Sequence, residues 1–300
     1  MKRAIYCLVL VLLFFSSTQL DAQRREVVIK IDTVTPQVYM LTGQGGNIGI
    51  YVGESNVFMI DDQFDRLSKK IKTAITSISN KPIKYIFNTH MHGDHTGGNA
   101  NFNSKAATIV AHDKVRERIE KENETAIKGG QMDAEIAEKK LPEVTFSENM
   151  TIHDGEETIM SFHVHNAHTD GDAMIYFLQN NVLHMGDTYF GGNYPFIDLG
   201  RGGSAEGLIN ALKKAVLIVN ENTKIIPGHG KLSDVAGLKS HITMLDDILA
   251  KVKSEIASGK SLAEVVANKS ITAAYDEKSG KGFINPERIR ETFYKSLKNN

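Results

Sequence analysis

The chain has 300 residues, of which 41% are hydrophobic and 24% charged, so it contains enough apolar material for a large folded core. Its formal net charge is −1 at pH 7, and no stretch of the sequence concentrates basic residues. This balance disfavours long-range attraction to nucleic acid, so we expect a small-molecule substrate and no nucleic-acid partner. Nothing in the composition predicts an oligomeric state.

Residues 1–22 have the pattern of a secretory signal peptide. A positive start at Lys2 and Arg3 precedes an apolar run of 12 residues, which is too short to span a bilayer comfortably. We expect cleavage after Ala22, which predicts a periplasmic or secreted protein with no membrane contact after signal cleavage. An uncleaved membrane anchor is the alternative, because Leu20 is larger than the residue usually found at that place.

Short strand-like runs open the mature chain, and an amphipathic helix follows them. The predicted strands before this helix are Val27–Ile31, Gln37–Leu41, Asn47–Val52 and Val57–Ile60. Apolar residues at positions 67, 71, 74, 75 and 78 have the spacing of one helix face, which predicts a helix over 67–78. Two more strands are predicted beyond it, at Ile83–Phe87 and Thr108–Ala111.

Residues 113–143 are dense in Lys and Glu, and two glycines, Gly129 and Gly130, lie in the middle of them. This composition predicts a charged helical insertion, made of two solvated surface helices joined by a hinge. A lid over an active site is the alternative interpretation.

The rest of the chain repeats the order of strands and helices. Further strands are predicted at Thr145–Phe146, Met150–His153, Ile159–Val164, Ala173–Leu178, Val182–Met185 and Lys224–Ile226. Helices are predicted at Ala205–Val219, Val235–Ser258, Leu262–Ala267 and Pro286–Leu297. This order suggests two similar halves within one catalytic domain, residues 23–300. Two β-sheets packed face to face, with helices outside, would satisfy it.

The segment THMHGDHTGGN, residues 89–99, carries the strongest chemical signal. It places His90, His92, Asp94 and His95 within six residues, directly after a predicted strand. His90 and His92 are two positions apart, so in extended backbone they project to the same side. The neighbouring glycines permit a tight turn. Because buried imidazoles and carboxylates need partners, this crowding predicts a metal site rather than ordinary packing.

Three more candidate ligands lie in loops next to predicted strands, each with a glycine nearby: His168, Asp187 and His229. Zinc in proteins prefers four ligands drawn from His, Cys and carboxylates, and one cluster cannot fill two such shells. The only cysteine, Cys7, lies within the predicted signal peptide, so the mature chain offers no thiolate. We therefore expect these three side chains to complete the metal site.

The pattern His-x-His-x-Asp-His, followed by a distant His, Asp and His, resembles the signature of the metallo-β-lactamase superfamily over nearly all of the mature chain. The resemblance implies an α/β fold, a four-layer αββα sandwich of two mixed sheets with the metals at one edge. It implies two Zn²⁺ ions per chain, bridged by Asp187. It assigns to the first ion His90, His92 and His168, and to the second Asp94, His95 and His229.

The resemblance also implies a hydrolase in which a metal-bridging hydroxide, oriented by the catalytic residue Asp94, attacks a carbonyl centre. We expect a cyclic amide or ester as substrate, as in β-lactamases. A thioester or lactone hydrolase and a phosphodiesterase are the alternatives within the superfamily. An iron-binding redox protein is the non-hydrolytic alternative. The predicted export argues against glutathione thioesters and RNA as substrates.

Four residues outside the ligand set are candidates for supporting roles. Asp61, at the end of a predicted strand, is expected to orient a ligand histidine through its second ring nitrogen, with helix capping as the alternative. The aromatic, glycine-rich segment after Asp187 is expected to wall the substrate pocket, with Tyr189 and Phe190 as substrate contacts. Arg201 is the candidate to hold a substrate carboxylate.

Overall fold

The computed structural model describes residues 26–104 and 106–298. The predicted signal peptide, residues 1–22, therefore lies outside the described residues. Within these ranges, none of the helices combines the length and the apolar character needed to cross a membrane.

The first sheet has seven strands that lie side by side in chain order. They are β1 (Lys30–Thr33), β2 (Val38–Thr42), β3 (Ile48–Val52), β4 (Val57–Ile60), β5 (Ile83–Asn88), β6 (Thr108–His112) and β7 (Val144–Phe146). Pairing is antiparallel from β1 to β4 and parallel from β4 to β7. The carboxyl ends of β4, β5 and β6 therefore meet at one edge, where the chain leaves each strand in a polar loop.

Helices cover the outer face of this sheet. They are α1 (Ser68–Ile78), α2 (Gly93–Thr96), α3 (Asn99–Phe102), α4 (Asp113–Lys128) and α5 (Ala134–Lys139). Ile71 and Ile75 of α1 are buried with Val57 and Met59 of β4 in one apolar cluster. The alternate residues of β4 point the other way, between the sheets, as the two-residue period of a strand requires.

The second sheet is built from the following part of the chain. Its six strands are β8 (Asn149–Asp154), β9 (Glu157–His163), β10 (Ala173–Phe177), β11 (Val182–His184), β13 (Lys224–Ile226) and β15 (Ser233–Asp234). A separate two-stranded ladder consists of β12 (Phe190–Gly191) and β14 (His229–Gly230). The six-stranded order is β15-β13-β11-β10-β9-β8, and β12 pairs with β14 in the ladder. Because β11 and β13 are parallel, their carboxyl ends also share an edge.

The remaining helices cover the outer face of the second sheet. They are α6 (Ala205–Ile218), α7 (Val235–Ala257), α8 (Leu262–Ala267), α9 (Asp276–Ser279) and α10 (Pro286–Lys298). On β10, Met174 and Tyr176 pack with these helices, while Ile175 and Phe177 pack against the first sheet. The layers are therefore helix, sheet, sheet and helix, and the predicted αββα sandwich is confirmed.

The first strand is the main difference from the predicted elements. Val27 and Ile29 do not pair in a sheet but pack against the apolar cluster under α1, and β1 begins only at Lys30. Residues 113–143 do form two helices as predicted. The turn between them passes through Gly130, whose φ of 68° lies in the region that glycine adopts most readily.

Candidate metal centre

The structure brings together all seven side chains that were predicted as ligands. Four lie between the end of β5 and the end of α2, and three lie in the second half of the chain, beyond the ends of β9, β11 and β13. Their ligand atoms form two sets, within each of which all atoms lie within 4.8 Å of one another. We call His90, His92 and His168 the histidine group. We call Asp94, His95 and His229 the mixed group.

In the histidine group, hydrogen bonds on the outer side of two rings leave unprotonated nitrogens on the inner side. The Nε2–H of His92 donates to Asp198 Oδ2 at 3.0 Å, and the Nδ1–H of His168 donates to the carbonyl of Phe196 at 2.9 Å. The other nitrogens, His92 Nδ1 and His168 Nε2, then face each other at 2.9 Å. Two lone pairs cannot hydrogen-bond to each other, so this approach is favourable only with a cation nearby.

His90 shows the same arrangement. Its Nδ1 lies 3.1 Å from the hydroxyl of Thr89, which donates its own proton to Asp61 at 2.7 Å. His90 Nε2 is left buried without a hydrogen-bond partner. Burial, and then the charge of His95, hold the pKa of His90 well below its usual value. Burial also lowers the pKa of His168 to about 4, so both rings are neutral near pH 7.

The mixed group differs because carboxylates surround its imidazoles. His95 is fully buried, with Nδ1 2.7 Å from Asp61 Oδ2 and Nε2 3.0 Å from Asp187 Oδ1. His229 Nε2 lies 3.3 Å from Asp94 Oδ2 and 3.4 Å from Asp187 Oδ1. Both rings of this group therefore face negative charge.

These carboxylates change the protonation of the mixed group. Burial by itself lowers the pKa of His229, but Asp187 and Asp94 outweigh it and raise the pKa to about 9. Burial is likewise outweighed at His95, where Asp187 and Asp61 hold the pKa well above its usual value. Without metal, the group therefore carries protons at pH 7 that a bound cation would displace.

Asp187 connects the two groups, and its carboxylate is almost fully buried. Its Oδ2 lies 3.9 Å from His90 Nε2 and 3.7 Å from His168 Nε2, whereas its Oδ1 faces the imidazoles of the mixed group. Each oxygen of one carboxylate therefore faces a different group. The backbone of Gly228 lies so close that any Cβ there would collide with Asp187 Oδ1, so glycine is required at this position.

These residues fit a pair of metal ions. A tetrahedral zinc ion with bonds of about 2.1 Å separates its ligand atoms by roughly 3.4 Å. The distances from the carboxylate oxygens of Asp187 to the Nε2 atoms of the ligand histidines lie between 3.0 and 3.9 Å, on either side of that value. Buried polar atoms without a hydrogen bond are rare in folded proteins, and one of them, His90 Nε2, lies at this centre.

Asp61 lies where the orienting role requires it. Besides facing His95, its Oδ1 accepts a hydrogen bond of 2.8 Å from the backbone N–H of Thr89. Its φ of 60° is unusual for a residue other than glycine, and such strain is concentrated at functional positions. Asp61 therefore links the backbone at Thr89 to the imidazole of His95.

Three groups at the centre were not predicted: the Asp198 carboxylate, the Phe196 carbonyl and the Thr89 hydroxyl. Asp198 and Phe196 fix the ring orientations of His92 and His168 from loops that are remote in sequence. The role of Thr89 could have been expected from the sequence, since Thr89 lies directly before the first ligand and after a buried strand. The roles of the other two could not, because they depend on how the second sheet is folded.

A cavity of about 750 Å³ opens beside the two groups. Asp94, Asp187 and two ligand histidines lie in its lining, and so do five aromatic rings: Phe64, Phe190, Tyr194, Phe196 and Phe283. No Lys or Arg of the described residues is among its lining residues. The cavity therefore offers a mainly apolar wall next to a strongly polar base.

The structure brings only one of the three predicted substrate contacts to this cavity. Phe190 is in the lining, and its ring stacks on His229 at 5.3 Å. Tyr189 points the opposite way: its ring is buried against His241, and its hydroxyl pairs with Ser233 at 2.9 Å. The expected substrate contact of Tyr189 is therefore corrected, because adjacent residues of an extended segment face opposite sides.

Arg201 is also corrected, since it does not line the cavity. Its guanidinium donates to Glu122 of α4 at 2.8 Å. Arg118 of the same helix pairs with Asp170, two residues beyond His168. None of the described residues in 113–143 lines the cavity. In this structure α4 and α5 are a surface helical pair that braces the ligand-bearing loops, rather than a lid.

Comparison with known families agrees with this geometry. The model of the metallo-beta-lactamase superfamily matches residues 41–229, which include all seven residues of the centre. The match covers more than half of the chain, so the chain belongs to the metallo-β-lactamase superfamily. It is a hydrolase of that superfamily with a candidate metal site.

The individual proteins that this chain resembles are only 16% to 26% identical to it. Hydroxyacylglutathione hydrolase of Nitrosococcus oceani is 26% identical over 220 residues, covering 70% of this chain and 73% of the relative. Among solved structures, DIM-1 metallo-β-lactamase is 19% identical with a TM-score of 0.59, covering 74% of this chain and 99% of that one. The alkylsulfatase Pisa1 from Pseudomonas sp. is 16% identical with a TM-score of 0.70, covering 89% of this chain and 50% of that one. At these identities the solved structures show the fold alone.

Proposed function

We propose that this protein is a dinuclear zinc hydrolase that cleaves an acyl bond, in a cyclic amide, an ester or a thioester, of a small molecule. One observation carries the proposal: the two oxygens of Asp187 face two separate groups of ligand atoms. A carboxylate shared in this way suits a pair of ions held close together, the arrangement used for hydrolytic displacement.

When bound, the ions supply Lewis acidity and lower the pKa of water towards neutrality. The chain's own contribution at the reacting centre is Asp94, whose side chain is 28% exposed at the base of the cavity. Burial raises the pKa of Asp94, but the hydrogen bond from His229 and the charge of His95 outweigh it and lower the pKa. Asp94 therefore stays ionised, and its Oδ2 can orient the attacking water and accept its proton.

The cavity favours a carbonyl substrate over a phosphodiester. Phosphoryl groups in proteins are usually held by Arg or Lys, and neither lines the cavity among the described residues. The aromatic wall suits an uncharged group instead. Similarity to hydroxyacylglutathione hydrolase supports a thioester as the second candidate substrate. The predicted export of the chain argues against glutathione itself as the thiol.

The proposal is tested with a substrate panel and a metal analysis of the purified protein. The panel contains nitrocefin, 4-nitrophenyl esters, a lactone, a thioester and bis(4-nitrophenyl) phosphate. We expect about two zinc ions per chain and turnover of at least one acyl substrate, which EDTA abolishes and added zinc restores. Turnover of the phosphodiester alone would contradict the acyl assignment. Iron in place of zinc, with no hydrolysis, would favour the redox alternative.

A further inference from the structure

The part of the chain that follows the superfamily match contributes to the cavity. The match ends at residue 229, yet Phe283, between α9 and α10, is among the lining residues. Its side chain is 73% exposed, although the ring stands edge-on against Phe196, with 5.9 Å between the ring centres. Single exposed apolar residues are common on proteins, so exposure alone says little. The position of this ring at the mouth of the cavity is what distinguishes it.

Phe196 links this ring to the metal centre. The ring centre of Phe196 lies 6.0 Å from that of His92 and 5.6 Å from that of His168. Phe196 and Phe283 therefore form a continuous aromatic wall from the histidine group to solvent. A group attached to a carbonyl held at the centre would extend along this wall.

Several contacts fix the position of the segment that carries Phe283. The hydroxyl of Tyr194 donates to Asp276 at 2.8 Å, and the backbone N–H of Tyr194 donates to the carbonyl of Ser279 at 3.1 Å. The guanidinium of Arg288 lies over the Phe283 ring, 4.9 Å from its centre. An aromatic ring held in place before the ligand arrives loses little entropy on binding.

We propose that Phe283 is a specificity-determining residue, which selects substrates whose acyl side carries an uncharged apolar group of about the size of a phenyl ring. This group would pack along the cavity side of Phe283 and Phe196 while the scissile carbonyl lies at the metal centre. The inference rests on the proposed function for the reaction, but the apolar subsite is observable by binding alone.

The kinetic test compares 4-nitrophenyl acetate with 4-nitrophenyl phenylacetate. In Phe283→Ala we expect KM for the phenylacetate ester to rise about tenfold, because most of one ring's apolar contact is lost, with kcat unchanged. The acetate ester carries no apolar group on its acyl side, so its KM should be unaffected. Phe283→Leu should keep most of the affinity. Leu217→Ala, a truncation of an apolar side chain that is 84% exposed on α6, is the matched control. Equal changes for both esters, or no change for either, would overturn the proposal.

A binding test separates this proposal from the proposed function. N-phenyl-1-naphthylamine is an uncharged dye that fluoresces in apolar sites, and the chain has no tryptophan to interfere. We expect its Kd to rise about tenfold in Phe283→Ala and to stay unchanged in Leu217→Ala, with or without EDTA. If no ester is hydrolysed but the dye distinguishes the variants, the acyl-hydrolase assignment fails and the apolar subsite stands. If the dye binds both variants equally, the subsite is wrong whatever the activity.

Discussion

The two ligand groups of the metal centre lie side by side but differ in charge. The histidine group presents rings whose outer nitrogens contact a hydroxyl, a carboxylate and a carbonyl, and burial keeps the rings of His90 and His168 neutral near pH 7. The mixed group places its imidazoles against carboxylates, which raise their pKa values. The first group therefore offers lone pairs directly, whereas the second must lose protons before it can bind a cation. Similar ligand atoms acquire different properties because their neighbours differ.

Removing the carboxylate that both groups share should have the largest effect on activity. Asp187→Ala deprives each group of one ligand, and we expect kcat/KM to fall by about a thousandfold or more, about 4 kcal/mol. Metal content, measured by mass spectrometry of the purified protein, should fall with it. A variant that keeps two bound ions and substantial activity would show that Asp187 does not connect the groups.

Removing Asp94 should affect the mixed group alone. Asp94→Ala loses both a ligand and the group that orients the attacking water, so we expect turnover to fall by about a hundredfold or more. The histidine group should keep its metal, so the protein should retain about one ion per chain. Steady-state kinetics together with metal analysis checks both outcomes, and loss of both ions would contradict the separation of the groups.

The residues that orient the ligand imidazoles should affect the two groups separately. Asp61→Asn should weaken metal binding mainly at the mixed group, by about tenfold to a hundredfold, because Asp61 contacts His95 directly and reaches His90 only through Thr89. Asp198→Asn should weaken binding at the histidine group by a similar factor, because Asp198 holds His92. Competition with a chromogenic chelator measures metal binding at each of the two groups as a separate step. If both variants weaken the same step, the assignment of these residues to separate groups is wrong.

The pH dependence of metal binding compares the two groups in the unaltered protein. The pKa of His229 is raised to about 9, and the pKa of His95 is held well above its usual value, so a cation must displace protons from this group. Affinity at the mixed group should therefore fall at least tenfold for each unit of decreasing pH. The pKa of His168 is lowered to about 4, so its ring stays neutral above that pH. Metal titrations between pH 6 and 8.5 should therefore show an affinity that depends steeply on pH at the mixed group and only slightly at the histidine group. Two equal slopes would contradict this difference.

The sequence predicted much of the centre because the fold follows from simple periodicities. The wholly apolar runs of β4 and β10 indicate strands that are buried on both faces. The helical spacing of α1 indicates the one face of that helix that is buried, and together these patterns indicate the layers. Parallel strands then bring their carboxyl ends to one edge. Ligand candidates such as His90 and Asp187, each just beyond such a strand, could therefore be expected to meet.

The supporting contacts could not be predicted in the same way. Asp198 and His92 lie 106 positions apart, and the contact depends on the path of an irregular loop. The expectation for Arg201 failed because its partner, Glu122, belongs to a surface helix with many charges of both signs. Tyr189 and Phe190 are adjacent aromatic residues, and their composition does not say which of them faces the cavity.

The division of the ligands between the two sheets has a consequence for folding. Four ligands come from the part of the chain that builds the first sheet and three from the part that builds the second. Each metal-ligand group draws on both parts, so cations bind the assembled sandwich in preference to the unfolded chain. A ligand at a hundred times its Kd adds about 2.7 kcal/mol to the free energy of unfolding. A metal bound at these groups would therefore stabilise the folded chain as well as supply the chemistry of the proposed reaction.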